Sequence, residues 1–224
     1  MVTAVIFDMY ETLITLFESP VYFGTQIAGD IGIDVKKFRT LWDATEQERS
    51  IGKWTLEEVL EMIMWKNQCY SEELLRKVVE KRVSAKRECF RHLHPDIIPM
   101  LSKLKERNIK IGLISNCFSE EAMVIRESVL FPYFDAVYLS YEQGIQKPNE
   151  EIFKRCMDEL KVTPEECIYV GDGGSYELET AEKIGMKALQ AIWYLKPGTT
   201  QPTGPKSGFI HLNRPLEVLK YLQE

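Results

Sequence analysis

Four apolar, β-branched-rich runs in this 224-residue chain each end on residues that can do chemistry. The first closes with Phe7-Asp8-Met9-Tyr10-Glu11-Thr12 and the second with Ile114-Ser115-Asn116. Gln146-Lys147-Pro148 follows the third, and the fourth closes with Gly171-Asp172-Gly173-Gly174-Ser175-Tyr176-Glu177. In an open parallel sheet, ligands bind outside the carboxyl ends of the strands, so these segments define one rim. Two carboxylates, one ammonium and two hydroxyls converge on it. An aspartate beside a lysine stays ionised and can attack an electrophilic centre, forming a covalent intermediate that water then hydrolyses. Asp8 is the better candidate nucleophile. Asp8 and Asp172, on neighbouring strand ends, could jointly hold a Mg²⁺ ion, which takes a couple of carboxylates plus substrate oxygens and water. Ser115 and nearby backbone N–H groups would donate to anionic substrate oxygens. Taken singly, Asp8 and Asp172 also read as turn formers, Lys147 as a solvated charge, and Ser115 and Thr12 as helix caps. Their coincidence at four successive strand ends favours the chemical reading.

The elements that must position these residues follow from periodicity. Strands are expected at residues 3–7, 109–114, 136–139, 167–170 and 187–192, with amphipathic helices at 95–107, 119–129, 149–160 and 175–184 between them. That alternation calls for an α/β fold with a parallel sheet covered on both faces. Asn108 and Gly185 stand where helices should stop. The closing Pro-Leu-Glu-Val-Leu-Lys-Tyr-Leu-Gln-Glu reads as a C-terminal helix, and residues 196–208, with three prolines and three glycines, as a surface loop. Residues 16–90 break the alternation, with helical spacing at 35–49, 56–65 and 72–87 and no convincing strand. They form a helical insertion in a core made of residues 1–15 and 91–224.

Composition narrows the classes. The chain is 45% hydrophobic and 28% charged, which excludes collagen, low-complexity disorder and small disulfide scaffolds. Its 28 basic residues against 34 acidic ones give a net charge of −6 with the basic residues scattered, which argues against a nucleic-acid or anionic-membrane surface. No apolar run approaches the roughly 18 residues of a membrane span, and the first residues carry no basic region and cleavage site. The expectation is a cytoplasmic protein, mature from Met1, acting on a small molecule, with the oligomeric state unspecified. The five cysteines are dispersed with no CxxC pair, so neither structural zinc nor a disulfide framework is indicated.

The ordered set of motifs resembles the haloacid dehalogenase-like hydrolase superfamily over nearly the whole chain. Asp8 and Thr12 in Phe-Asp-Met-Tyr-Glu-Thr-Leu match its first motif, and Ile-Gly-Leu-Ile-Ser with Ser115 its second. Lys147-Pro148 matches the third, and Gly171, Asp172 and Glu177 the fourth. The resemblance implies a Rossmann-like catalytic core with Asp8 as nucleophile and Mg²⁺ held by Asp8, the backbone carbonyl of Tyr10 and Asp172. It further implies that Glu177 reaches the metal through water, that Lys147 neutralises charge around the nucleophile, and that Ser115 orients the transferred group, with Thr12 and Asn116 beside them among the catalytic residues. The helical insertion resembles the mobile cap of that superfamily. The second and third motifs stand only about thirty residues apart, which leaves no room for a second large cap.

One position departs from the phosphatase pattern. Most phosphatases of the superfamily carry a second aspartate where this chain has Tyr10, and that aspartate protonates the leaving group. Tyrosine there resembles the L-2-haloacid dehalogenases, which open with Asp-x-Tyr-x-Thr and need no metal. The carboxylate at Asp172 favours a metal, and a metal favours a phosphorylated substrate. The leading expectation is therefore a Mg²⁺-dependent phosphatase working through an aspartyl-phosphate. The alternatives are a metal-independent 2-haloacid dehalogenase and a low-activity binding or regulatory protein. Glu11 is a candidate substitute acid, and Lys53 corresponds to a cap Schiff-base lysine only if it leaves the surface position its sequence context indicates.

Tyr10, Phe17, Tyr22 and Phe23, close after the first motif, are expected to line the substrate cleft. Trp42, Trp54 and Trp65 are expected in the core of the insertion, and His92 and His94 as polar residues at its return. Cys117 reads as a small hydrophobe near a strand end.

Overall fold

The computed structural model describes residues 1–196 and 203–223. Six strands form one sheet: β1 (Ala4–Phe7), β2 (Lys110–Ser115), β3 (Ala136–Leu139), β4 (Cys167–Gly171), β5 (Lys187–Ala191) and β6 (Ile210–Leu212). Their spatial order is β3-β2-β1-β4-β5-β6 and every neighbouring pair is parallel. The chain runs outward from β1 through β2 to β3, then returns to the other side of β1 for β4. The sequence-predicted α/β class is therefore the observed one, and the direction of winding reverses between β1 and β4, where a crevice must open at the strands' carboxyl ends.

Both faces of the sheet are buried, which explains why its strands read as continuous apolar runs. Val5 and Phe7 of β1 with Ile168 and Val170 of β4 pack into one cluster, and the alternating Ala4, Ile6, Cys167 and Tyr169 into the opposite one. Helices α6 (Ile97–Glu106), α7 (Ser119–Glu127), α8 (Ser140–Gln143), α9 (Glu150–Leu160) and α10 (Glu177–Lys183) connect the strands. Asn108 and Gly185 adopt positive φ of 57° and 97° just past helix ends, as expected of C-terminal caps.

Between β1 and α6 the chain is helical: α1 (Gly24–Ile31), α2 (Val35–Ala44), α3 (Glu46–Ser50), α4 (Leu56–Lys66) and α5 (Glu72–Cys89). Their apolar faces enclose a third cluster that includes Ile27, Phe38, Leu60 and Ile63. The expected single helix over 35–49 is split at Thr45, whose hydroxyl bonds back to the Trp42 carbonyl at 2.9 Å. Helix α1 escaped the sequence reading because Gly24 and Gly29 weaken its helical signal; burial of Ile27, Ala28 and Ile31 holds it. Trp65 was expected in the core but is 60% exposed and stacks on Tyr70, so an aromatic ring here covers another ring at the surface.

The insertion touches the main body at defined points. Arg82 and Lys86 of α5 pair with Glu120 and Glu121 of α7, the Leu56 amide donates to the Ser119 hydroxyl, and Ser50 bonds Ser140. The turn after α3 lies against α8 at Gly52, which has φ of 79°; a Cβ there would stand 2.2 Å from the Tyr141 carbonyl oxygen, so only glycine allows the approach. At the C-terminus the expected helix is a run of 3-10 turns over Pro215–Tyr221, and β6 is a short strand that the sequence reading missed. Of the segment read as a loop, residues 197–202 lie outside the described residues, as does Glu224.

Candidate active site

Asp8 is the first residue beyond β1, and its amide donates to the Val170 carbonyl at 2.9 Å, so the β1–β4 pairing carries it to the lip of the crevice. Its Oδ1 accepts from Lys147 Nζ at 2.6 Å. Lys147 arrives from the loop between α8 and α9, held by Asn116: the Asn116 Oδ1 accepts from the Lys147 amide at 2.8 Å and its Nδ2 donates to the Lys147 carbonyl at 3.0 Å. Asn116, expected among the catalytic residues, thus holds the lysine backbone with its side-chain amide.

Lys147 Nζ also contacts Tyr169 Oη at 3.1 Å and the Glu177 carboxylate, and Tyr169 donates to the same Glu177 oxygen at 2.9 Å. Gly171 makes this possible, since a Cβ there would lie 2.0 Å from Glu177 Oε1. Burial pulls the Lys147 ammonium down, yet the carboxylates of Asp8 and Glu177 outweigh it and leave its pKa raised. Burial together with the charge of Asp8 pushes the Glu177 carboxyl above its ordinary value, while Lys147 works to keep it ionised. Asp172, beyond β4, accepts from the Gly174 amide at 2.8 Å and is likewise raised, first by burial and then by Asp8.

Asp8, Asp172 and Glu177 each offer a carboxylate oxygen within 4.8 Å of the others. Three carboxylates around one ammonium leave negative charge uncompensated in a largely buried site, and an oxygen-lined, electron-rich cluster of that kind suits a hard divalent cation. Glu177 directs its oxygens to Lys147, Tyr169 and the Gly173 amide, so Asp8 and Asp172 face the cation site more directly. Ser115 is fully buried at the end of β2 with its hydroxyl 3.4 Å from the Asn116 carbonyl. Thr12 is also buried, and its Oγ1 has no partner among the described residues.

Tyr10 turns away from this cluster toward α5, with Lys86 Nζ 5.3 Å from its ring centre. Burial and then Glu121 push its phenol well above the ordinary value. Glu11 accepts from the Thr15 hydroxyl at 2.7 Å and the Leu16 amide at 2.8 Å. Lys53 remains at the surface beside Glu48, so the Schiff-base role is unsupported. His92 bonds Glu88 and His94 the Asp96 amide, as polar residues at the return of the insertion should. The Cys117 thiol is buried and pushed up by that burial, as befits a packing residue.

A cavity of about 460 Å³ lies between the insertion and the strand-end loops, lined among others by Phe23, Trp42, Arg49, Arg82, Lys86 and Phe118. A second, of about 510 Å³, is lined by Ser50, Asn116, Gln146 and Ser175 and shares Asp43, Glu46 and Phe118 with the first. Of the expected cleft residues, Phe23 lines the first of these cavities. Tyr22 does not: its hydroxyl is bound to Asp30 at 2.6 Å and it borders outer grooves. Phe17 stands apart, 42% exposed on the loop before α1. Sequence reasoning missed Tyr169, Gln190, Arg49, Arg82 and Lys86. Only the phenol and the amide within apolar strands β4 and β5 gave a signal, because a buried polar group there requires a partner. Gln190 finds its partners in the Asp172 and Gly204 carbonyls at 2.7 and 2.9 Å.

The family model for haloacid dehalogenase-like hydrolases matches residues 2–185. A glyceraldehyde 3-phosphate phosphatase of Methanopyrus kandleri is 30% identical over 137 residues, 58% of this chain and 57% of that protein. The chain spans about half the length of the curated relatives it matches. Among solved structures, a HAD phosphatase from Thermococcus onnurineus superposes with a TM-score of 0.66 at 20% identity, covering 98% of this chain and 97% of that one. A 2-haloacid dehalogenase from Pseudomonas syringae pv. Tomato DC3000 gives 0.72 at 17% identity, covering 100% and 99%.

Proposed function

The chain belongs to the haloacid dehalogenase-like hydrolase family, and from that premise we propose that it is a Mg²⁺-dependent phosphatase of small phosphorylated metabolites. The observation that carries the reading is the buried set of three carboxylates, Asp8, Asp172 and Glu177, balanced by the single ammonium of Lys147. Such a set has use for a divalent cation, and the relative in Methanopyrus kandleri named as a phosphatase points to the same chemistry.

In this reading Asp8 attacks the phosphorus of a phosphate monoester, the bond from phosphorus to the ester oxygen breaks, and an aspartyl-phosphate forms on Asp8. Water then adds to that phosphorus, inorganic phosphate departs and the Asp8 carboxylate is restored. Lys147 keeps one Asp8 oxygen fixed and offsets charge on the transferred group, with Ser115 as a donor to its oxygens. Mg²⁺ held by Asp8, the Tyr10 carbonyl and Asp172, with Glu177 reached through water, would supply charge neutralisation at the phosphoryl oxygens. Residues 16–90 act as a helical cap over the core of residues 1–15 and 91–224, and the two cavities between them receive the substrate. Location in the cytoplasm accords with this role.

Tyr10 supports a second reading, a metal-independent 2-haloacid dehalogenase with an ester intermediate at the same aspartate; Asp172 speaks against it. Release of inorganic phosphate from a panel of phosphorylated metabolites, abolished by a chelator and restored by Mg²⁺, is the expected result. Halide release from 2-haloacids that persists in chelator, without phosphate release, would replace the first reading with the second.

A further inference from the structure

Gln190 stands in β5 opposite Gly171 of β4 and is 1% exposed. A buried amide is costly unless its groups are paired. Its Nε2 donates to the Asp172 carbonyl at 2.7 Å and to the Gly204 carbonyl at 2.9 Å, and its Oε1 accepts from the Lys206 amide at 2.8 Å. Each of these bonds goes either to the backbone of Asp172 or to residues 204–206, so the side chain ties one to the other.

The same segment reaches the carboxylate. The Thr203 hydroxyl bonds the Asp172 side chain, whose Oδ1 also accepts from the Gly174 amide at 2.8 Å. Lys206 fastens the segment to the element that bears Glu177: its Nζ pairs with Glu179 of α10 at 2.5 Å and lies 5.4 Å from the ring centre of Tyr176. A space of about 20 Å³ remains beside Asp172, Gln190, Thr203 and Gly204, enough for a single water. Asp172 is thus gripped at its main-chain carbonyl and at its carboxylate by one neighbouring stretch of chain. Gln190 and Thr203 both stand beyond residue 185, where the match to the family model ends.

A carboxylate holds a cation best when its own orientation is fixed beforehand, and loss of a partner that fixes it typically costs about 10–100-fold in metal affinity. We propose that Gln190 and Thr203 are positioning residues for Asp172, the glutamine fastening residues 204–206 to its backbone and the threonine hydroxyl orienting its carboxylate, and that they thereby set how tightly the site holds Mg²⁺. The inference rests on the Mg²⁺ reading of the site and adds to it the connection between β5 and β6.

Calorimetric titration with Mg²⁺ alone, without substrate, reads the site directly. In Gln190→Leu the Kd for Mg²⁺ should rise about 10–100-fold and in Thr203→Val about 10-fold, with Thr203→Ser recovering most of the loss. The Mg²⁺ concentration giving half-maximal phosphate release should rise in step, while kcat at saturating Mg²⁺ changes far less. Melting curves in chelator separate this effect from general loosening. Variants that melt lower yet bind Mg²⁺ as the unaltered protein does overturn the proposal, as does a Thr203→Ser that binds no better than Thr203→Val. If Gln190→Leu fails to fold, the two Thr203 variants decide alone, since that residue is only half-buried. Binding by the unaltered protein that neither substitution weakens refutes the roles of Gln190 and Thr203 and leaves the metal reading standing. No binding by the unaltered protein refutes the metal reading itself, and this inference with it.

Discussion

Lys147 Nζ lies 2.6 Å from Asp8 Oδ1 across 139 residues of sequence. The same ammonium also reaches Glu177, so it holds together two carboxylates that would otherwise repel each other.

Asp8→Asn is the most direct probe of that crevice. Turnover should fall at least about 10³-fold, because an amide oxygen neither attacks phosphorus nor holds a cation well. Stability should change by no more than about 1–2 kcal/mol, since Lys147 retains Glu177 as its counter-charge. Thermal unfolding and phosphate release, measured together, separate the two effects; substantial turnover by a folded variant would remove Asp8 as nucleophile.

Lys147→Met should behave differently. It leaves Asp8 and Glu177 buried without a cation, a loss of about 3–5 kcal/mol, and it should impair turnover as well. Adding Glu177→Gln to it should recover part of the stability by deleting one of the two facing charges. A double variant no more stable than the single one would show that the two carboxylates are not the source of the strain.

Proton supply to the leaving group is the next weak point. Burial and Glu121 push the Tyr10 phenol above its ordinary value, and Glu11 is bound to Thr15 and Leu16. General-acid help is worth about 10²–10⁴-fold, and a phenol raised in this way is too weak an acid near neutrality to give much of it. Across a series of phosphate esters, kcat/KM should therefore rise steeply as the leaving group becomes more acidic, with aryl and acyl phosphates ahead of alkyl ones. A flat series would mean that another group protonates the ester oxygen.

The junction between insertion and core should be acid-sensitive. Burial acts to raise the Glu121 carboxyl, but Lys86 at 2.6 Å and Arg82 at 3.4 Å overcome it and hold its pKa below the ordinary value. Lys86 is itself pulled down, with burial dominant, yet it remains protonated in both folded and unfolded chains throughout the acid range and adds no slope there. Stability from Glu121 is thus fully present above the pKa of an unfolded glutamate and disappears as pH falls through the lower, folded value. Between about pH 6 and about pH 3 the melting temperature of the unaltered protein should drop further than that of Glu121→Gln, which begins lower by the cost of an unpaired buried lysine, about 3–5 kcal/mol. Parallel curves for the two proteins would contradict the assignment.

Legibility of the fold and site followed local signal strength. Asp8, Ser115, Lys147 and Asp172 could be read because each follows an apolar run, and parallel strands place such successors on one rim. Arg49, Arg82 and Lys86 could not, because on a helix a buried cation looks like a solvated one until a partner element covers it, here α7. Trp65 failed in the opposite sense, since ring size argues for burial but a neighbouring ring can shelter it outside any core. Helix α1 was hidden by its glycines, and β6 by its three-residue length. Asn116 was read as a chemical group from its address alone; only the geometry reveals that it clamps another residue's backbone.

At Gly52 the insertion comes as near to the sheet's loops as two chains can, with a lone hydrogen facing the oxygen of Tyr141. The gap between the turn after α3 and helix α8 is therefore gauged by the smallest side chain available. Any methyl group at that turn would act as a wedge, prising the end of α3 away from helix α8.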